Sequence, residues 1–234
     1  MNEEAPAPKK TRLTFVQVMV ALLALALLAS LAVPTFGRTC ARGNITKGIS
    51  NCRQIITAMR IYSSDHGGEY PDATLTDPQS SNEAFRVLFT ENILDNELIF
   101  GCPISRFVPD GNIGGRDDPA RKSAVDAGEN HWAMTRDLTD SAPGGIPLVY
   151  ENPAKPTWPP VWNADAKGTN ARGRAWSNGV IVGLNDSSVG IQPLESKSGT
   201  AVPLRKTEGK DLFEAAINPT TLPTGAMLDV EGAP

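Results

Sequence analysis

Two histidines and three cysteines among 234 residues leave little material for metal or nucleophile chemistry. The cysteines (Cys40, Cys52 and Cys102) form no C-x-x-C pair, and His66 and His131 stand in a Gly-Gly turn and in "ENHWAM", so zinc-ligand spacing is missing. A Ser/His/Asp site would have to run through His131, which reads instead as a structural residue on a short strand. "GNIGGRDD" neither follows a strand nor offers a lysine to a phosphate. We therefore expect no catalytic residue, no metal and no cofactor, and a protein that is not an enzyme. Basic charge is scarce as well: 22 Lys and Arg against 26 Asp and Glu give a net charge of -4, which excludes a nucleic-acid footprint. Aromatics make up 6% while Gly (21) and Pro (19) are abundant, a balance that predicts a loop-rich fold.

Apolar length is not scarce. In "TRLTFVQVMVALLALALLASLAVPTFGR" only Gln17 and Ser30 are polar from Phe15 to Val33. At ~1.5 Å rise per residue, roughly 20 such residues match a ~30 Å hydrocarbon core, so residues 13–36 read as a transmembrane segment. Lys9, Lys10 and Arg12 in the polar tail 1–12 predict that this end stays cytoplasmic and that residues 37–234 are exported. A cleaved secretory signal ending at Ser30-Leu31-Ala32 is the rival reading, although its apolar core would be longer than the usual ~7–15 residues.

Beyond that segment Ile45, Ile49, Cys52, Ile56 and Met59 recur with helical period, and "DHGGEYPD" supplies stop signals. Leu13 to about Ser64 is thus expected to form one helix, kinked at Pro34, whose second half buries one face. Ser80 and Glu83 have capping-box spacing ahead of a second helix, with Ala84, Phe85, Leu88 and Phe89 as its apolar face. "DNELIFGCPIS" reads as a short extended segment. "NHWAMT" and "GIPLVYE" are candidate strands, Val180–Leu184 and Val189–Leu194 a β-hairpin across Asn185–Ser188, and Asp211–Ile217 a short helix. The fold class is α+β: a long N-terminal transmembrane-plus-amphipathic helix and a small head with an antiparallel sheet.

On one helix Cys40 and Cys52 would stand about 18 Å apart, too far to pair. Cys52 with Cys102 is the preferred disulfide, and the alternative is that all three pack as small buried residues. Asp117, Asp118, Asp126 and Glu129 could offer oxygens to calcium but match no loop motif and read as solvated charge. Trp132, Trp158, Trp162 and Trp176 either make a sugar-stacking face or pack loops onto the sheet.

The residues "LTFVQVMVALLALALLASLAVP", a basic leader before them and Pro34 after them resemble the N-terminal region of type IV pilins and type II secretion pseudopilins. "NCRQIITAMRIYSSDHGGEYPD", "LIFGCP" and "VIVGLNDSSV" resemble an expanded bacterial subgroup of pilin-like proteins. The resemblance implies a structural subunit of a type II secretion or type IV pilus-like assembly. It would be held in the inner membrane as a single-pass protein, with its head in the periplasm or outside the cell. It would join homo- or hetero-oligomers of pilin-like subunits through its N-terminal helix. Arg12 stands where the family has its pre-cleavage glycine, Leu13 at the start of the processed chain and Gln17 at the helix glutamate. Both departures point to a chain that is not processed. The alternatives are a membrane-tethered binding module with a Trp-rich loop surface, or a secreted protein with a cleaved signal.

Overall fold

The computed structural model describes residues 14–115, 117–165, 172–177, 179–223 and 225–232; over residues 29–41 it describes the backbone alone. The first helix, α1, runs without interruption through Phe15–Asp65. The chain divides into two units, Met1–Gly43 and Asn44–Pro234, with the boundary inside α1. The basic tail lies outside the described residues. The expected kink at Pro34 and the side chain of Cys40 fall in the stretch where only the backbone is described.

The transmembrane expectation is overturned. Among the described residues no helix is long and apolar enough to cross a membrane. Where side chains are again described, Arg42 and Lys47 are exposed and the helix is amphipathic. The single-pass, inner-membrane placement and the transmembrane part of the fold class fall with it. What stands is α+β with a five-stranded antiparallel sheet.

In the second unit the predicted stripe faces inward, half-buried at Ile45 and Ile49 and buried from Cys52 on. Cys52, Ile55, Ile56, Met59 and Tyr62 are all buried, and Gly48 is buried one turn earlier. A Cβ at Gly48 would stand 2.6 Å from Ile181 Cδ1 and 3.3 Å from Cys102 Sγ, so the glycine permits a close approach of helix to sheet. Helix α2, Ser81–Thr90, starts at the expected N-cap, with Ser80 Oγ accepting from Glu83 N (3.1 Å), but Glu83 Oε2 accepts from Gln79 N (2.9 Å), one residue before the cap, in place of the reciprocal bond of a capping box. It buries Ala84, Phe85, Leu88 and Phe89, and both phenylalanines pack on Phe100 with centroids 5.1 and 5.9 Å away. Glu97–Phe100, expected extended, is a 3-10 turn capped by Asn96 Oδ1 on Leu98 N (2.9 Å).

The strands are β1 Trp132–Thr135, β2 Pro147–Glu151, β3 Val180–Leu184, β4 Val189–Gln192 and β5 Met227–Leu228, in the order β4-β3-β2-β1-β5. The hairpin β3–β4 forms where expected, with Val180 opposite Gln192 and Gly183 opposite Val189, and Leu184 N donating to Ser188 O (2.8 Å) inside the expected turn. Strand alternation sends Trp132, Met134, Val149 and Ile181 into the core under α1 and α2. Their neighbours Ala133, Tyr150, Val180 and Val182 enter a second core with Trp162 and Phe213, the latter on the short helix α3, Leu212–Ala216. A register shift between Pro147 and Val149 lets Leu148 and Val149 both serve the first core. Coverage on both faces explains why these strands are continuously apolar.

Candidate functional site

At the start of α1, Gln17 performs a role that its reading as a substituted glutamate missed. Its Oε1 accepts from the Thr14 backbone N–H (3.0 Å) and from the Thr14 hydroxyl (3.2 Å). Thr14-x-x-Gln17 is a capping-box spacing that was legible in the sequence. Arg12 and Leu13 lie outside the described residues. Past the cap, large apolar side chains are exposed on every side of the helix, from Phe15 (78%) and Val16 (64%) through Leu22 (59%) and Leu23 (65%) to Leu28 (66%).

In the head a polar cluster sits in the interior. Glu151 ends β2 fully buried, beside His131 and Cys102, which are nearly so. Glu151 Oε1 accepts from Trp176 Nε1 (2.8 Å) and faces His131 Nε2 (3.3 Å) and Cys102 Sγ (3.7 Å); Oε2 accepts from Ile181 N (2.9 Å). These groups come from four separate segments, and a buried carboxylate is tolerable only with such a set of donors.

Cys102, His131 and Glu151 offer ligand atoms within 4.8 Å of one another, spacings that would suit a tetrahedral metal. The imidazole argues otherwise. Asn152 Oδ1 accepts from Gly173 N (3.0 Å) and its Nδ2 donates to His131 O (2.9 Å), which orients the amide. Nδ2 then lies 2.9 Å from His131 Nδ1, which must accept, so Nε2 carries the proton given to Glu151. A metal on Nε2 would force that proton onto Nδ1, against the Asn152 N–H. The donor set therefore does not fit a cation, and the cluster is a hydrogen-bonded hub that ties the chain around residue 102 to β1, β2, β3 and the Trp176 segment.

The expected Cys52–Cys102 bridge is not formed: both are free, buried thiols. Each sulfur has its own acceptor, Val149 O at 3.5 Å for Cys52 and Glu151 Oε1 for Cys102. Burial, and then the nearby Glu151 carboxylate, push both thiols far above the usual range, so neither supplies the thiolate that exchange requires.

The acidic loop is also rearranged from the sequence reading. The Glu129 carboxylate lies within 4.8 Å of those of Glu97 and Asp110, and its Oε2 accepts from Asp126 N (2.8 Å). Glu97 is buried and satisfied, accepting from Gly111 N (2.6 Å) and Val125 N (2.9 Å), while Asp118 accepts from Ser123 N (2.9 Å). The four tryptophans form no common face: Trp132 and Trp162 are wholly buried, and Trp158 packs on Phe213 with centroids 5.2 Å apart.

Two motifs distant in sequence lock the head. Tyr70 Oη donates to Asn185 Oδ1 (2.7 Å), and Asn185 Nδ2 donates to Thr139 O (3.1 Å) and Ala142 O (2.8 Å). Burial pushes the Tyr70 phenol up to about 12. Next to Tyr70, buried Asp72 accepts from Asp137 N (2.7 Å) through Oδ2, whereas its buried Oδ1 has no hydrogen-bond partner among the described residues; desolvation pushes its carboxyl up to about 6. No family model, curated protein or solved structure matches the chain.

Proposed function

We propose that the chain is a pilin-like structural subunit that joins a type II secretion or type IV pilus-like assembly by packing its N-terminal helix among those of other pilin-like subunits. The observation that carries this reading is the unbroken exposure of apolar side chains from Phe15 to Leu28 on all faces of α1. A helix that docks into one groove needs one apolar stripe; a helix apolar all round needs neighbours all round, as in the core of a helical bundle. The second half of α1 is committed to the head, and the polar hub of the head is sealed from substrate, which favours a structural role over catalysis.

The test is a photo-crosslinking residue at Leu22 or Leu25 of the full chain in its native host, followed by identification of the captured peptide. Capture of the equivalent helix of the same or another pilin-like chain supports the reading, with Leu22→Asp abolishing capture. A chain that yields no subunit crosslink and sediments as a monomer refutes it.

A further inference from the structure

One corner of the head holds two buried atoms of complementary chemistry, each without a hydrogen-bond partner among the described residues: Asp72 Oδ1, an acceptor, and Arg136 Nε, a donor. Asp137 joins them. Asp72 Oδ2 accepts from Asp137 N (2.7 Å), while Arg136 Nε stands 3.5 Å from Asp137 Oδ2 without bonding it. The guanidinium is engaged elsewhere, through Nη2 on Asp77 Oδ1 (3.0 Å). Asp72 belongs to the 3-10 turn Pro71–Thr74, Arg136 follows β1, and Asp77 lies in the loop that leads to the Ser80 cap of α2.

The charged groups that act on Asp72 are Asp137 and Arg136; Asp77 acts on the same guanidinium. From the other elements beside this turn, Glu83 of α2 is engaged with Gln79 N (2.9 Å), Arg86 with Glu231 (3.3 Å), and His66 Nδ1 lies 2.9 Å from Tyr62 O. Asp137 repels a charge on Asp72 and Arg136 attracts it, so the position of the guanidinium governs whether Asp72 keeps its proton. It governs Asp77 too, whose only ion pair among the described residues is with Arg136. Asp77 and Asp137 both hold left-handed backbone, φ +53 and +57, which a non-glycine residue keeps only where its surroundings fix it.

We propose that Asp72 and Arg136 form a proton-operated latch: while Asp72 is protonated Arg136 holds Asp77, and when that proton leaves to solvent Arg136 Nε turns to Asp72 Oδ1 and releases Asp77. A buried, ionised oxygen without a donor is costly, and the guanidinium fork carries one buried N–H still unspent. The latch ties the loop Leu75–Gln79 to the end of β1 in acid and frees it at neutral pH.

Nuclear magnetic resonance of the full chain tests this by following the carboxyl carbons of Asp72 and Asp77 and the Arg136 Nε–H as pH is raised. All three should share one midpoint, near 6. Asp72→Asn should leave the Arg136 signal flat over that range. Asp77→Asn changes a side chain that is 73% exposed and should keep the fold; by removing the competing acceptor it should lower the Asp72 midpoint by about one unit, a tenfold loss of proton affinity. Separate midpoints, an Arg136 signal that is flat in the wild type or titrates in Asp72→Asn, or an Asp72 midpoint unmoved by Asp77→Asn would each overturn the latch. Should Asp72→Asn not fold, the wild-type and Asp77→Asn midpoints decide alone. None of these outcomes bears on crosslinking through Leu22.

Discussion

The two described halves of α1 are continuous in backbone and opposite in surface. From Phe15 to Leu28 apolar residues occupy all faces and remain exposed; from Asn44 to Asp65 most lie on one face, where Cys52, Ile55, Ile56, Met59 and Tyr62 are buried, while Ile61 is left 49% exposed. Hydrophobicity by itself thus says little about which part of a helix stabilises the fold. Periodicity says more, because a stripe matches the one surface a sheet can offer, and an all-round pattern matches nothing within the same chain.

The sharpest way to break this comparison is to truncate one residue in each half. Ile56→Ala removes a side chain packed beneath β3, and we expect a loss of about 2–5 kcal/mol in denaturant unfolding of the full chain. Leu22→Ala, at an exposed position, should change the same measurement by less than about 0.5 kcal/mol. Equal effects would mean that the two halves are not energetically distinct.

Glu151→Gln comes next, because it sets an amide N–H against donors that a carboxylate accepts. A loss of about 3 kcal/mol is expected, with altered fluorescence as the Trp176 N–H loses its charged acceptor. Near-wild-type stability would show that the hub does not hold the head together.

Asp72 gives a pH-dependent contrast. Its folded value, about 6, lies above the ordinary 3.8, so the native state favours the proton. The stability it contributes is complete below pH ~4 and is lost as pH rises through 6. About two units at 1.36 kcal/mol each give a loss of roughly 2–3 kcal/mol by neutral pH. In Asp72→Asn that portion of the pH profile should flatten, so the variant gains on the wild type between pH 4 and 7. A constant difference across that range would contradict the assignment.

The smallest effect is expected at the cap. Gln17→Ala removes the acceptor of the Thr14 N–H and should cost about 0.5–1 kcal/mol of local helix stability. It should be visible as faster amide exchange in the first turn of α1 and absent from unfolding of the head.

Much of the secondary structure was legible because its signals are local. The Ser80 cap, the β3–β4 hairpin across Asn185–Ser188 and the Ile45-to-Met59 stripe need only neighbours in sequence to be recognised. The hub was not legible, since Cys102, His131, Glu151 and Trp176 are brought together by strand pairing and loop return. Its one local hint was a glutamate ending the apolar run "PLVYE". The disulfide expectation failed for the same reason: helix geometry could exclude Cys40 with Cys52, but the acceptors that hold Cys52 and Cys102 apart as thiols, Val149 O and Glu151, belong to another part of the chain.

Short-range order, then, was determined by the sequence itself: where α1 and α2 begin, which face of the Asn44–Asp65 half is apolar, and where the hairpin turns. Those features follow from backbone propensity, capping and period, which act over a few residues. Only the tertiary structure decided that Glu151 is buried among donors, that His131 carries its proton on Nε2 and that the thiols stay free. Each of these depends on which distant groups share a volume from which water is excluded, a property that no short stretch of the chain encodes.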